Sequence, residues 1–356
     1  MSTHPNLSRQ VRELLPTERI TRVRTLTWLL CGLVYSRSVH LSAIARHIPG
    51  VSRQLSKVRK LSRWLDNAKV QVRPYYETVA KALLARAVCT QACVRLVIDA
   101  TKVSQNHQLL MVALVTRRRT LPIAWTWLRC RKGHSSARVQ CALLKYVYTL
   151  LPAGALPPII LLGDSEFTPV QSLLSEWGWS YALRQKGSCL VRISPAHAWQ
   201  RLDELVTEPG QCRWLTHVEL TQAHRHPTHL LALWWPGEKK PWLIATDLPT
   251  AHQARLHYSR RMWIEEMFGD FKRHGFDLEA TCLRHFQRLS RLTLAVSLLY
   301  VWLFACGTRA IKDGNRRLVD RNDRRDLSIF RIGLEFLTRC LTNGSPCPLP
   351  PVPYLS

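Results

Sequence analysis

"VRLVIDATKVSQNHQLLMVALVTRRRTLPIAWTWLRC", Val94 to Cys130, holds three apolar runs separated by short polar breaks. Each run has the length and the β-branched and aliphatic content of a strand. "VRLVIDATKV" (94–103), "QLLMVALVT" (108–116) and "TLPIAWTWLRC" (120–130) therefore predict three consecutive strands, the last two joined by a basic turn, Arg117 to Arg119. A helix capped around Ser135 and Ser136 is expected to run to about Leu151. "PPIILLGDSEF" (157–167) then predicts a buried strand that breaks at Gly163, "PVQSLLSEWG" a helix, and "WSYALRQKG" another strand. Three strands, helix, strand, helix, strand is the order of a mixed α/β layer with helices packed on a sheet.

On the C-terminal side, residues 188–250 turn β-rich and unusually rich in tryptophan, with "QCRWLTHVELT", "THLLALWWPGE" and "KPWLIATDLP" as candidate strands and "PGEKKP" as a hairpin turn. Helix is expected to return from about Ala251 to Ala310, followed by a tail over 311–356 with mixed charges and a Pro-rich, irregular end, "SPCPLPPVPYLS". On the N-terminal side, "HLSAIARHIPGVSRQLSKVRKLSRWLDN" (His40 to Asn67) predicts two helices broken at Pro49 and Gly50, the second capped by Ser52. Leu55, Val58, Leu61 and Leu65 share one side of that second helix; Arg53, Lys57 and Lys60 share the opposite side. That basic side is either a DNA-contacting face of a helix-turn-helix style module or the solvated face of a plain helical hairpin. The expected organisation is a helical domain at 1–90 that carries this basic side, an α/β part at 91–187, a β-rich segment at 188–250, a helical part at 251–310, and the tail at 311–356.

The chain has 356 residues and 46% hydrophobic content, enough to bury a core. With 51 Lys and Arg against 24 Asp and Glu, its net charge is +27, a field that favours a polyanionic partner, nucleic acid ahead of a membrane surface. Residues 1–90 alone hold 16 basic and 4 acidic side chains. The cysteines show no C-x-x-C pair and no paired His spacing for a zinc site, which fits reduced thiols in a cytoplasmic protein. The one long apolar run, "LTLAVSLLYVWLFAC" (Leu292 to Cys306), is shorter than the roughly 20 residues that cross a bilayer, so it predicts a buried core helix and no membrane partner.

Two aspartates are placed for chemistry: Asp99 follows "RLVI" and Asp164 follows "IILLG". A carboxylate beside such runs belongs at a strand end, where it is solvated or holds a metal. The segment "HYSRRMWIEEMFGDFKRHGF" (257–276) supplies a third acid. Treated as one helix, Arg261, Glu265 and Lys272 lie 3, 7 and 14 residues after Tyr258, all near whole numbers of turns, so the four share one stripe. Glu266 falls about 100° off it and is expected to face solvent or a basic neighbour. Three carboxylates suit Mg²⁺ or Mn²⁺ over zinc, and two such ions serve phosphodiester displacement.

Y-x2-R-x3-E-x6-K, met by Tyr258, Arg261, Glu265 and Lys272, resembles the signature of DDE transposases of the insertion-sequence 4 family, the group that includes the Tn5 transposase. The resemblance covers about residues 40–310. It implies an α/β fold with a ribonuclease-H-like core, a β-rich insertion before the catalytic helix, and an N-terminal helical domain. It also implies that Asp99, Asp164 and Glu265 are catalytic and hold two Mg²⁺, or Mn²⁺. By the same resemblance Tyr258, Arg261 and Lys272 grip phosphates, Arg184 and Lys186 contact DNA after the fifth strand, and Trp242 stacks on a flipped base or else packs the insertion sheet. The sequence departs from the pattern at Ser165, where many relatives carry Arg. The implied activity is cut-and-paste transposition by a homodimer on double-stranded DNA in the bacterial cytoplasm, associated with the nucleoid, with no small-molecule substrate. A non-catalytic DNA-binding regulator and a metal-dependent nuclease of the same fold are the alternatives.

Overall fold

Five helices open the chain: α1 (Pro5–Leu14), α2 (Ile20–Ser36), α3 (Leu41–Arg46), α4 (Gln54–Asp66) and α5 (Val72–Thr90). The computed structural model describes residues 5–104, 106–130, 135–221, 226–345 and 353; most of the Pro-rich end falls outside them. The break between α3 and α4 lies where Pro49 and Gly50 predict it, Gly50 at φ +101°. The cap differs: Arg53, not Ser52, precedes α4, and no side chain caps it. Leu61 and Leu65 are buried, whereas Leu55 at the start of α4 is exposed.

Next come β1 (Val94–Lys102), β2 (Gln108–Thr116), β3 (Arg119–Leu128), α6 (Ala137–Thr149), β4 (Ile159–Gly163), α7 (Gln171–Glu176) and β5 (Ser180–Arg184), in the predicted order. β1 and β2 are antiparallel, as are β2 and β3, and β4 lies parallel to both β1 and β5. The β2–β3 turn is tighter than expected. Thr116 pairs with Arg119, so only Arg117 and Arg118 turn the chain, at φ 43° and 61°; such a two-residue loop needs left-handed backbone at both positions.

Residues 188–250 do not form a separate sheet. β6 (Leu190–Arg192), β7 (Gln200–Arg201), β8 (Cys212–Leu220), β9 (His226–Leu233) and β10 (Trp242–Thr246) continue the core sheet, because β10 pairs antiparallel with β5 through Ala182 to Arg184. One ten-stranded sheet results, ordered β3-β2-β1-β4-β5-β10-β9-β8-β6-β7. β3 forms one edge; its Pro122 carbonyl accepts a 2.7 Å hydrogen bond from the Tyr76 hydroxyl of α5. The β9–β10 hairpin falls where "PGEKKP" predicts it.

The helical region predicted from 251 to 310 is divided. α8 (Ala251–Tyr258) tightens into a 3₁₀ turn over Ser259–Met262, α9 (Trp263–Phe271) follows, and α10 (Phe286–Lys312) comes after a loop. The apolar run lies in α10, which is long and apolar enough to cross a membrane but has 94% of its most apolar window buried inside the protein. Arg291 of α10 donates to the carbonyls of Leu65 (2.8 Å) and Val70 (2.9 Å), tying the N-terminal helices to the core. Within the tail, ahead of the Pro-rich end, "IFRIGLEFLTRCLTN" forms α11 (Ile329–Asn343), capped by the Ser328 hydroxyl, and packs on α10. Gly333 and Gly307 bring the two backbones together. A Cβ on Gly333 would stand 1.8 Å from the Leu303 carbonyl oxygen, and one on Gly307 2.1 Å from that of Ile329.

Candidate active site

Ile98 of β1 pairs with Gly163 of β4, so the residues that follow, Asp99 and Asp164, emerge side by side. Asp99 does not end its strand as expected; β1 continues to Lys102, and Asp99 is buried. Asp164 does stand just beyond its strand, where its Oδ1 accepts from the Ser165 amide at 2.8 Å and starts a short 3₁₀ turn. Asp99 Oδ1 likewise accepts from the Ala100 amide at 2.8 Å.

The third acid comes from α9, in whose first turn Glu265 and Glu266 both lie. Carboxylates are stabilised at that end of a helix by the free amides and the dipole. Glu265 turns toward the two aspartates, and Arg261 stands between all three. Its Nη2 lies 3.0 Å from Asp99 Oδ2 and 3.4 Å from Asp164 Oδ2, and its Nη1 3.1 Å from Glu265 Oε1. The guanidinium is buried. Burial opposes its charge, but Asp99, Tyr258, Asp164 and Glu265 outweigh that and raise its pKa. Burial also pushes the Asp99 carboxyl up to about 6, against the pull of Arg261.

These groups line one cleft of about 550 Å³ with Ser165, Glu166, Arg184, Phe268 and Lys272. Glu166 fixes one wall, its Oε1 accepting from the Ser135 amide at 2.6 Å. Lys272 reaches the cleft but pairs with Glu279 at 2.9 Å, and Arg184 donates to the Pro241 carbonyl at 3.3 Å. Tyr258 and Trp242 are beside the cleft and pack edge to face on each other, ring centres 5.2 Å apart; the buried Tyr258 hydroxyl has no hydrogen-bond partner among the described residues. Lys186 is exposed in the loop after β5. Arg53, Lys57 and Lys60 lie apart, on the N-terminal helices. Arg53 is exposed, Lys57 donates to the Ile48 carbonyl at 2.6 Å, and the Lys60 ammonium sits 4.1 Å from the Trp28 ring centre.

No group of three or more His, Cys, Asp or Glu among the described residues is arranged to hold a metal ion as it stands. Asp99, Asp164 and Glu265 are instead gathered round one cation, the guanidinium. Their chemistry fits a hard divalent ion, since all three offer carboxylate oxygens, and a single cationic group already reaches all of them.

Glu266 faces away. It pairs with Arg119 at 2.8 Å and is largely exposed. Behind it lies Asp270, a buried acid that the sequence reading missed. Arg119 Nε is 3.5 Å from its Oδ2, and the Tyr300 hydroxyl donates to it at 3.4 Å. The available signal was its i,i+4 spacing from Glu266. Burial foremost, with Glu266 adding to it and Arg119 opposing, raises the Asp270 pKa from 3.8 to about 7. The native state therefore holds a proton that the unfolded chain releases above about pH 4, and this group's contribution to stability falls as pH rises from about 4 to 7. Asp270→Asn is expected to remove that slope, on the order of a few kcal/mol across the window. Urea unfolding of both proteins at several pH values checks this, and parallel curves would refute it.

A cryo-EM structure of the piggyBac transposase synaptic complex with hairpin DNA is similar to the chain at 8% identity and a TM-score of 0.43, over 91% of this chain and 73% of that one. No curated protein matches the sequence. The family model described as a transposase DDE domain matches residues 95–302, more than half of the chain and a span that holds Asp99, Asp164 and Glu265. The chain belongs to the family of DDE-domain transposases.

Proposed function

We propose that this protein is a cut-and-paste transposase of the insertion-sequence 4 type, which binds the terminal inverted repeats of its own element, cleaves there, and joins the freed 3′ hydroxyls to target DNA. The observation that carries the reading is the convergence of Asp99, Asp164 and Glu265 on Arg261 in one cleft of a chain with a net charge of +27. The core strand order β3-β2-β1-β4-β5 agrees with the ribonuclease-H-like arrangement expected of this type.

DDE transposases use divalent metal ions, and Asp99, Asp164 and Glu265 would hold them here, as two Mg²⁺ or Mn²⁺. Bound there, such ions supply activation of a water or 3′ hydroxyl and stabilisation of the leaving oxygen. Arg261, held by the carboxylates, would move its guanidinium toward a phosphate once other cations neutralise them. Lys272 and Arg184, already at the cleft, would grip the backbone on either side. Trp242 would receive a flipped base, at roughly 1–3 kcal/mol for the stack. Arg53, on the exposed side of α4, would join end recognition, together with Lys57 and Lys60 once freed from their internal partners. Two transposon ends call for two copies of the chain, and the expected setting is the bacterial nucleoid.

The test is cleavage of labelled DNA carrying the element's ends, with Mg²⁺ or Mn²⁺. Nicking followed by joined products supports transposition; nicking alone favours a nuclease, and end binding without cleavage a regulator. Glu265→Gln should abolish cleavage with binding retained. Glu266→Ala should leave cleavage intact and cost at most about 1 kcal/mol, since it removes one exposed pair with Arg119. The opposite pattern would overturn the assignment of Glu265.

A further inference from the structure

At the far end of β3, a second concave surface of about 670 Å³ opens between that strand and the start of α10. Arg129, Arg284, His285, Phe286 and Arg288 line it, and Asp66 is the one acid in its wall. It shares Phe286, Gln287 and Arg291 with a neighbouring hollow of about 500 Å³, so the two form one groove. Arg288 is committed to Asp66 at 3.2 Å and Arg291 to the carbonyls beneath. Arg129 and Arg284 are different: both are exposed, and neither pairs with a carboxylate among the described residues. The first turn of α10 adds to their field, for among the described residues no side chain caps it and the turn itself holds no acid.

The groove is in line with the candidate active site. Asp99 of β1 pairs with Met111 of β2, which pairs with Trp125 of β3. Arg129 is four residues past Trp125 in the direction in which β1 also runs, so it sits roughly 16 Å from Asp99, two strands across and four residues along. That is roughly half a turn of duplex DNA.

We infer that this groove binds the sugar–phosphate backbone of the duplex beside the segment held at the carboxylates, through Arg129, Arg284 and the free amides of α10. The inference rests on the reading of the protein as a transposase. Arginine forks and helix N-termini both match phosphate, and such contacts set the position of the DNA rather than read its sequence.

The experiment compares wild type with the double variant Arg129→Ala/Arg284→Ala, binding a mixed-sequence duplex of about 40 base pairs across a salt series by fluorescence anisotropy. Each lost phosphate contact removes about 0.9 from the slope of log affinity against log salt, so the slope should become shallower by about 1.8. Affinity at low salt should fall about tenfold or more. Arg129→Lys/Arg284→Lys, which keeps both charges, should restore most of the slope. An unchanged slope in the alanine variant, with wild type binding normally, overturns the groove and leaves the transposase reading standing. Absence of DNA binding by wild type sinks both.

Discussion

Asp99→Asn should lower DNA cleavage by about a thousandfold or more while the protein stays folded and bound to DNA. Of the three carboxylates, Asp99 is the most buried, and it lies on β1, flanked by β2 and β4 in the sheet. The amide is nearly the same size, and its single oxygen can keep one of the two bonds Asp99 accepts, that from the Ala100 amide to Oδ1 or that from Arg261 to Oδ2. Burial already disfavours the charge on Asp99, so neutralising it should cost the fold little. The loss of rate follows from the charge no longer available for a divalent ion, which is worth several kcal/mol of transition-state stabilisation. Single-turnover cleavage beside anisotropy binding checks this; a variant that still cuts at a tenth of the wild-type rate would remove Asp99 from the chemistry.

Gly333→Ala is expected to destabilise the protein by about 3 kcal/mol or more, at the top of the range for overpacking. The added carbon meets a backbone carbonyl of α10, which no rotamer change can move aside. α11 would have to back away from α10 and give up the burial of Phe330, Leu334 and Leu337. Gly307→Ala should act in the same direction, because it closes the same approach from the other helix. A urea midpoint equal to wild type for both would show that the helices are not held at this distance.

The elements of the core were readable because each is a local pattern. The runs in "VRLVIDATKV" and "PPIILLG" are strands wherever they are placed, and "PGEKKP" turns the chain whatever surrounds it. What strand pairs with what is not local. Nothing in "YALRQ" marks it as the partner of "WLIAT", so the continuation of the core sheet into residues 188–250 could not be read. The stripe from Tyr258 to Lys272 was half right for a similar reason. Arg261 and Glu265 do meet at i,i+4 spacing, and Glu266 does face Arg119. No Pro or Gly in 251–262 announces the 3₁₀ turn, which tightens the chain where Arg261 reaches aspartates from two other strands. α11 was within reach: Ser328 caps it, and Phe330, Leu334, Leu337 and Cys340 carry its buried face. The charged segment before it and the prolines after it hid the period. The crowding of all three acids round a single guanidinium is a tertiary fact with no sequence signature.

The edges of the ten-stranded sheet bear on how two copies could meet. An open edge invites another strand, and proteins that avoid polymerising blunt theirs. Here β7 is two residues long, and β3 carries Pro122, which has no amide to donate and whose carbonyl is taken by Tyr76. One margin is interrupted at Pro122 and the other is only two residues long. Extension of the sheet from copy to copy is thereby disfavoured, so two molecules brought to the same DNA would be expected to meet through helices and loops.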